Sequence, residues 1–268
     1  MLGFPTPYCT CSLRIFRDSI ESSQEGRASW RLTSSSFVLF LIFSWVAILG
    51  VPSEGEASPG SDVPLRHIQT VIPILGTTMS EATVPIGIVA DIQLEFLQRR
   101  DHTGLDVQFE TTPGKFSPYA QQSVRQAIDR VVEAAALNPD SWTIRFRLPY
   151  PGVTLYGESL SAMTALNIVA LAKNDPVDEE TIMTGTVMAD GHVGTVGGVP
   201  LKIVAAHKQH FRKVLIPEEF DVADGDWETP FLMEVSPVSS ISKAYLALTH
   251  RPLRTVHIGQ SLTASLTR

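Results

Sequence analysis

Cysteine is almost missing from this chain. Its two cysteines, Cys9 and Cys11, stand near the front and none follows. Everything after Cys11 therefore lacks a structural disulfide, a thiol nucleophile and a cysteine-ligated metal. Cys9-x-Cys11 offers two metal ligands without partners, which is too few for a closed site. No Gly-x-x-x-x-Gly-Lys-Ser/Thr segment occurs, so these residues hold no P-loop for a nucleotide. Positive charge is scarce: 21 Lys and Arg against 28 Asp and Glu leave a net charge of −7. With no basic run interleaved with aromatics, that balance argues against a nucleic-acid surface. No cofactor is implied. What remains is 44% hydrophobic and 18% charged over 268 residues, which suits one globular domain with extensions.

The front extension carries the one long apolar run, Phe37 to Val51, which has no charged residue. Arg14, Arg17, Arg27 and Arg31 precede it; Glu54 and Glu56 follow, with no positive charge until Arg66. Its 15 residues fall short of the roughly 20 that a spanning helix needs. They suit the core of a signal peptide or a short anchor. The arginine asymmetry then places the N-terminus in the cytoplasm and the following domain outside it, exported or membrane-anchored. A buried core strand or helix is the other reading of such a run. The expected divisions are a cytoplasmic or n-region at 1–35, a signal peptide or anchor at 36–52 and a Pro/Gly/Ser-rich acidic linker at 53–66.

Beyond the linker, hydrophobic spacing predicts strands at Val71–Leu75, Glu81–Val89, Gln93–Leu97 and Leu105–Glu110. Ala120, Val124, Ala127, Ile128 and Val131 recur at helical spacing, so 117–137 reads as a helix. Trp142–Leu148 alternates as a strand. A helix is expected over Ser159–Lys173, stopped by Asp175-Pro176. Thr181–Met188 and His192–Val196 read as a hairpin around Ala189-Asp190-Gly191. Pro200 suits the first turn of a helix carrying Lys202. Strands at Val214–Pro217 and Leu232–Val235 and a helix at Ile241–Leu248 complete a mixed α+β (α/β) pattern.

Two side chains stand out on chemical grounds. Ser159 sits where a helix pattern begins, where serine is also a preferred cap. Lys202 sits in a first helical turn among Leu201, Ile203, Val204, Ala205 and Ala206. Burial there, and the positive end of the helix, would both work against its ammonium form, which is what a lysine acting as a base requires. A solvated surface lysine is the ordinary alternative. Ser161 is a rival nucleophile. His207-x-x-His210 lies one helical turn apart but lacks a third ligand, so surface histidines are the simpler reading. Asp178 and Asp190 fit helix starts and turns.

The segments around these residues resemble the proteolytic domain of Lon-type serine proteases, in the family's order. The counterparts are Gly157-Glu158-Ser159, Met183-Thr184-Gly185-Thr186, Val196-Gly197-Gly198, Leu201-Lys202-Ile203-Val204-Ala205-Ala206-His207 and Val214-Leu215-Ile216-Pro217. Ile144-Arg145-Phe146-Arg147-Leu148-Pro149 resembles the strand that leads to the family's serine. The likeness runs from about residue 70 to about residue 250. It implies a Lon-like proteolytic domain at 67–250, with 251–268 as a flexible tail. It also implies Ser159 as nucleophile, Lys202 as its base, Thr184 orienting the amine, and a homo-oligomer. Departures are Leu160-Ser161 in place of Ala-Gly, Thr186 in place of Glu, and arginines in place of the histidines before the serine.

The implied activity is ATP-independent serine endopeptidase action on unfolded or extended peptides, with the membrane as a further partner if the front segment is uncleaved. The alternative is a catalytically inactive Lon-like module that binds peptides or partners at the cell envelope, which the departures at Leu160-Ser161 and Thr186 favour.

Overall fold

The computed structural model describes residues 13–15, 64–225 and 227–254. Cys9, Cys11, the apolar run Phe37–Val51, the expected division 36–52 and all of the expected division 1–35 except Leu13–Ile15 lie outside them. Among the described residues no helix is long and apolar enough to cross a membrane.

A short strand β1 (Leu13–Ile15) comes first. Two 14-residue strands follow, β2 (Arg66–Met79) and β3 (Pro85–Gln98), paired antiparallel along their whole length from Arg66↔Gln98 to Met79↔Pro85. Glu81–Val84 forms the turn between them, not the start of a strand. The Ser80 amide donates to the Val84 carbonyl at 2.9 Å, and Thr83 takes the left-handed conformation at φ 58°. The two strands expected at 81–89 and 93–97 are therefore one. Ala90, Ile92, Leu94 and Phe96 point into the core while Asp91 and Gln93 lie exposed. Asp91 and Gln93 are the wet face of a single strand.

β4 (Asp106–Phe109) and β5 (Lys115–Phe116) lead to helix α1 (Pro118–Ala134). Ser117 caps α1 by accepting the Ala120 amide, and Pro118 opens its first turn. The predicted stripe is buried: Ala120, Val124, Ala127, Ile128 and Val131. β6 (Trp142–Arg147) joins β2, β3 and β4 in a four-stranded sheet of order β2-β3-β6-β4, antiparallel to β3 and parallel to β4. It buries Ile144 and Phe146 and exposes Arg145 and Arg147, an alternation legible in its sequence. β7 (Val153–Leu155) pairs with β1 and β5 in a small second sheet.

Helix α2 (Ser161–Lys173) is central, and every residue from Ser161 to Ala170 is buried. A helix apolar all round is the expected form for that position. After it β8 (Thr181–Met183), β11 (Lys213–Pro217) and β12 (Glu234–Val238) form a parallel sheet of order β12-β11-β8. Between β8 and β11, β9 (Thr186–Val187) and β10 (Val193–Gly194) form a short hairpin. The long hairpin expected over 181–196 is thus divided: its first three residues belong to the parallel sheet and only the tip pairs with itself. Helix α3 (Val199–Lys208) precedes β11, a 3₁₀ turn covers Val222–Asp224, and α4 (Ile241–Thr249) follows β12.

The last strand begins at Glu234 rather than Leu232, because Leu232 is left-handed at φ 63° and 84% exposed. The packed domain reaches past residue 250. Leu253 is 3% exposed, and Lys173 Nζ donates to the carbonyls of Pro252 and Leu253. These strands and helices realise the expected mixed α+β class.

Candidate active site

Ser159 lies two residues before α2 rather than on it. The helix starts at Ser161, with Leu160 at the cap position and no side chain capping. The difference has a plain cause: serine is so common a cap that its type suggested the boundary, whereas here the main chain makes the turn. The Ser161 amide donates to the Glu158 carbonyl at 2.9 Å and the Ala162 amide to the Gly185 carbonyl at 3.3 Å. Both of these amides are therefore engaged within the chain. The Gly185 amide in turn donates to the Ser159 carbonyl at 3.0 Å. Two main-chain hydrogen bonds thereby clamp 159–162 against Gly185.

Thr184 occupies the residue between β8 and that clamp. Its amide donates to the Leu215 carbonyl of β11 at 3.0 Å, and its side chain is fully buried. Lys202, in the first turn of α3, is also fully buried at 0% exposure. Its Nζ donates to Thr184 Oγ1 at 3.2 Å, and the Thr184 hydroxyl donates to the Ser159 carbonyl at 3.5 Å. The structure therefore brings Lys202, Thr184 and the main chain of Ser159 together from α3, β8 and the approach to α2. It does not join the two side chains directly. Ser159 is 1% exposed and its Oγ makes no hydrogen bond among the described residues. A buried hydroxyl without a partner is uncommon and marks a place where stability has not been the sole constraint.

Two features place α3. Gly87, near the start of β3, packs so closely on this helix that a Cβ there would stand 1.9 Å from the Leu201 carbonyl oxygen. Gly198, before the helix, is left-handed at φ 71°. The amides of Gly198 and Val199 then donate to the Asp224 carboxylate at 2.8 and 3.0 Å. Neither Gly87 nor Asp224 stands out in the sequence. Asp224-Gly225 reads as an ordinary turn, and a contact spanning 25 residues leaves no periodic trace.

Ser161 is 2% exposed and opens α2. Thr186, on β9, lies opposite Gly194 and is buried to 7% exposure. Glu158 accepts a hydrogen bond from the Tyr119 hydroxyl at 2.8 Å and lines a groove of about 600 Å³. The β9–β10 hairpin, Arg130, Glu218 and Glu219 form its other walls. His207 and His210 are exposed, and among the described residues no cluster of three or more His, Cys, Asp or Glu side chains is arranged to hold a metal ion.

Residues 118–243 match the family described as the Lon protease (S16) C-terminal proteolytic domain. That stretch contains Ser159, Thr184 and Lys202. The chain is 26% identical over 171 residues to a Lon protease of Methanosphaera stadtmanae, covering 63% of this chain and 20% of that protein. It is 32% identical over 144 residues to an archaeal Lon protease of Thermoplasma acidophilum, covering 53% and 21%. With an archaeal Lon protease of Archaeoglobus fulgidus it shares 38% identity over 101 residues, covering 37% and 16%. The matched stretch thus spans about a fifth of the length of these relatives.

Proposed function

The chain carries a Lon-type proteolytic domain, and we propose that it is a serine endopeptidase in which Ser159 attacks the scissile carbonyl and Lys202 takes its proton. The observation that supports this most is the fully buried Lys202 amine donating to Thr184 beside the main chain of Ser159. Burial excludes water from the amine, and Lys202 belongs to the first turn of α3, at the positive end of that helix. Both features work against the ammonium form and toward the neutral amine that a base needs. Thr184 fixes the direction of the amine. The Ser159 oxygen bonds to the substrate carbonyl carbon and its proton passes to Lys202. Lys202 then gives that proton to the departing amine as the peptide C–N bond breaks, which leaves an acyl-enzyme for water to resolve.

The 1% exposure of Ser159 means that the residues around it move as substrate enters. The groove beside Glu158 is where an extended peptide would lie. The cleavage proposed for this domain runs without ATP and falls on extended or already unfolded chains, and the 268 residues themselves hold no P-loop. The arginine-flanked run Phe37–Val51 supports a domain outside the cytoplasm, whereas the pairing of β1 with β7 counts against that location, because it sets Leu13–Ile15, which precede the run, on the domain itself. A C-terminal reporter active only outside the cytoplasm tests that location, and silence of that reporter beside a working cytoplasmic one rejects it.

The second reading is a non-catalytic peptide-binding module. It is favoured by one observation, the occluded Ser159 hydroxyl without a hydrogen bond. A fluorophosphonate separates the two. The peptidase takes the label at Ser159 and cleaves an unfolded protein, and Ser159→Ala does neither. A wild-type chain that binds peptide but takes no label and cuts nothing is the module.

A further inference from the structure

We propose that Asp224 is the positioning residue for Lys202: by capping α3 from a separate loop, it fixes where the lysine amine stands. The proposal rests on the reading of Lys202 as the base. A helix leaves its first amides without partners inside the helix, and these are met by water or by a capping group. In α1, in α4 and in the 3₁₀ turn the cap is local: Ser117, Ser240 and Asp221 each accept an amide two or three residues on. α3 differs. Its cap residue is Gly198, which has no side chain to give, so the acceptor comes from 26 residues away. Both carboxylate oxygens are used, Oδ1 by the Gly198 amide and Oδ2 by the Val199 amide.

Lys202 follows three residues after Val199, and its amide donates to the Gly198 carbonyl at 3.1 Å. The residue that Asp224 grips is thus the acceptor for the backbone of the lysine itself. Gly87 also packs on that turn, admitting the Leu201 carbonyl with no room to spare. The turn is held by the carboxylate and by its contact with β3, and the Lys202 amine reaches Thr184 from that fixed base. Releasing the carboxylate lets the turn fray, and the amine then meets Thr184 and Ser159 only part of the time. The loss falls on the chemical step, not on peptide binding.

The test uses the full chain with Asp224→Ala, Asp224→Asn and Asp224→Ser, and Asp221→Ala as a control. Asp221→Ala removes a neighbouring carboxylate that accepts the Ala223 amide, and it keeps the Asp221 main chain that accepts the Asp224 amide. Two readouts are taken: hydrogen exchange of the Gly198 and Val199 amides, and kcat and KM for cleavage of an unfolded peptide. For Asp224→Ala, exchange at those amides rises at least tenfold while α2 is unchanged. Its kcat falls about tenfold or more, with KM held within about twofold. Asp224→Asn, which keeps an acceptor oxygen, recovers most of that kcat, and Asp221→Ala resembles wild type.

Unchanged exchange at Gly198 and Val199 overturns the proposal whether or not the chain cleaves anything. So does a wild-type kcat in Asp224→Ala, or a loss confined to KM. Should Asp224→Ala not fold, Asp224→Ser carries the same readouts: raised exchange with lowered kcat supports the role, and wild-type values of either overturn it. Absence of cleavage by the wild-type chain, with exchange responding as stated, instead counts against Lys202 as a base and leaves the cap established.

Discussion

Helices α2 and α3 bring up the two candidate reactive side chains in different ways. The approach to α2 is held by main-chain hydrogen bonds to Gly185, and no side chain caps it. The start of α3 is held by a carboxylate from a distant loop and by the close approach of Gly87. A serine nucleophile needs its backbone in one place and its hydroxyl able to turn. A lysine base needs a long side chain brought to one point. Main-chain clamping suits the first, and fixing the helix that carries the residue suits the second. The same contrast appears in the polar atoms. Among the described residues Ser159 Oγ is buried without a hydrogen bond, while the Lys202 amine and the Thr184 hydroxyl are engaged.

Breaking the chemistry at either helix has the largest expected effect. Lys202→Arg lowers cleavage by on the order of a thousandfold or more, because a guanidinium stays protonated at any workable pH and cannot act as a base. Ser159→Ala does the same, and the double variant is no worse than either single one, as expected for residues that work as a unit. Peptide cleavage by the three variants checks this. Near-wild-type cleavage by Lys202→Arg removes the lysine from the mechanism.

Displacing α3 comes next. Gly87→Ala places a methyl group 1.9 Å from the Leu201 carbonyl oxygen, so strand and helix must part. Overpacking of this kind costs about 1–3 kcal/mol, and here it also moves the turn that carries Lys202. The expected outcome is a lower melting temperature together with a kcat reduced by more than the unfolded fraction explains. A kcat unchanged per folded molecule would show that the lysine tolerates movement of its helix.

How far this arrangement could be read from the chain alone depended on the range of the forces behind each part. α1 and β6 were legible because their buried residues recur at 3.6 and 2 residues, a local pattern. The strands expected at Glu81–Val89 and Gln93–Leu97 are one in the fold: Ala90-Asp91-Ile92 continues the alternation, and the pairing with β2 runs through it without a break. The α2 boundary slipped by two residues because Ser159 has the chemistry of a cap and is not used as one. At the candidate site, the order of the Ser159, Thr184 and Lys202 segments pointed to three residues that the fold brings together. Gly87 and Asp224 left no signal: one acts by lacking a Cβ opposite a carbonyl, the other across 25 residues of chain. Long-range packing is where single-sequence reasoning ends.

The polar contrast is sharpened by stability rather than rate. Ser159→Ala removes a buried hydroxyl that has no partner, so it leaves unfolding free energy unchanged or slightly raised. Thr184→Val removes a buried hydroxyl that both accepts and donates, and it leaves the Lys202 amine without that acceptor. Its expected cost is about 1–3 kcal/mol. Denaturant unfolding of the two variants compares them directly, and equal destabilisation would mean that Ser159 is engaged after all.

The smallest expected effect lies at the entry to β8, where Asp178 holds the strand that ends beside Thr184. Its carboxylate accepts the Thr181 hydroxyl at 2.7 Å and the Glu180 amide at 3.0 Å. The Thr181 hydrogen bond, aided by the Glu180 amide and opposed by burial, holds the carboxyl below the usual aspartate range. A carboxyl that binds its proton less readily when folded than when unfolded contributes stability above its unfolded pKa, near 3.9. That contribution disappears as the pH falls through the lower, folded value. Asp178→Asn should therefore be less stable than wild type at pH 7, and the gap should close on acidification below about pH 4. Melting temperatures of both proteins from pH 7 down to the acid limit check the sign. A gap that stays constant with pH would mean that the Asp178 contacts act by shape alone, and a gap that widens toward acid would reverse the assignment.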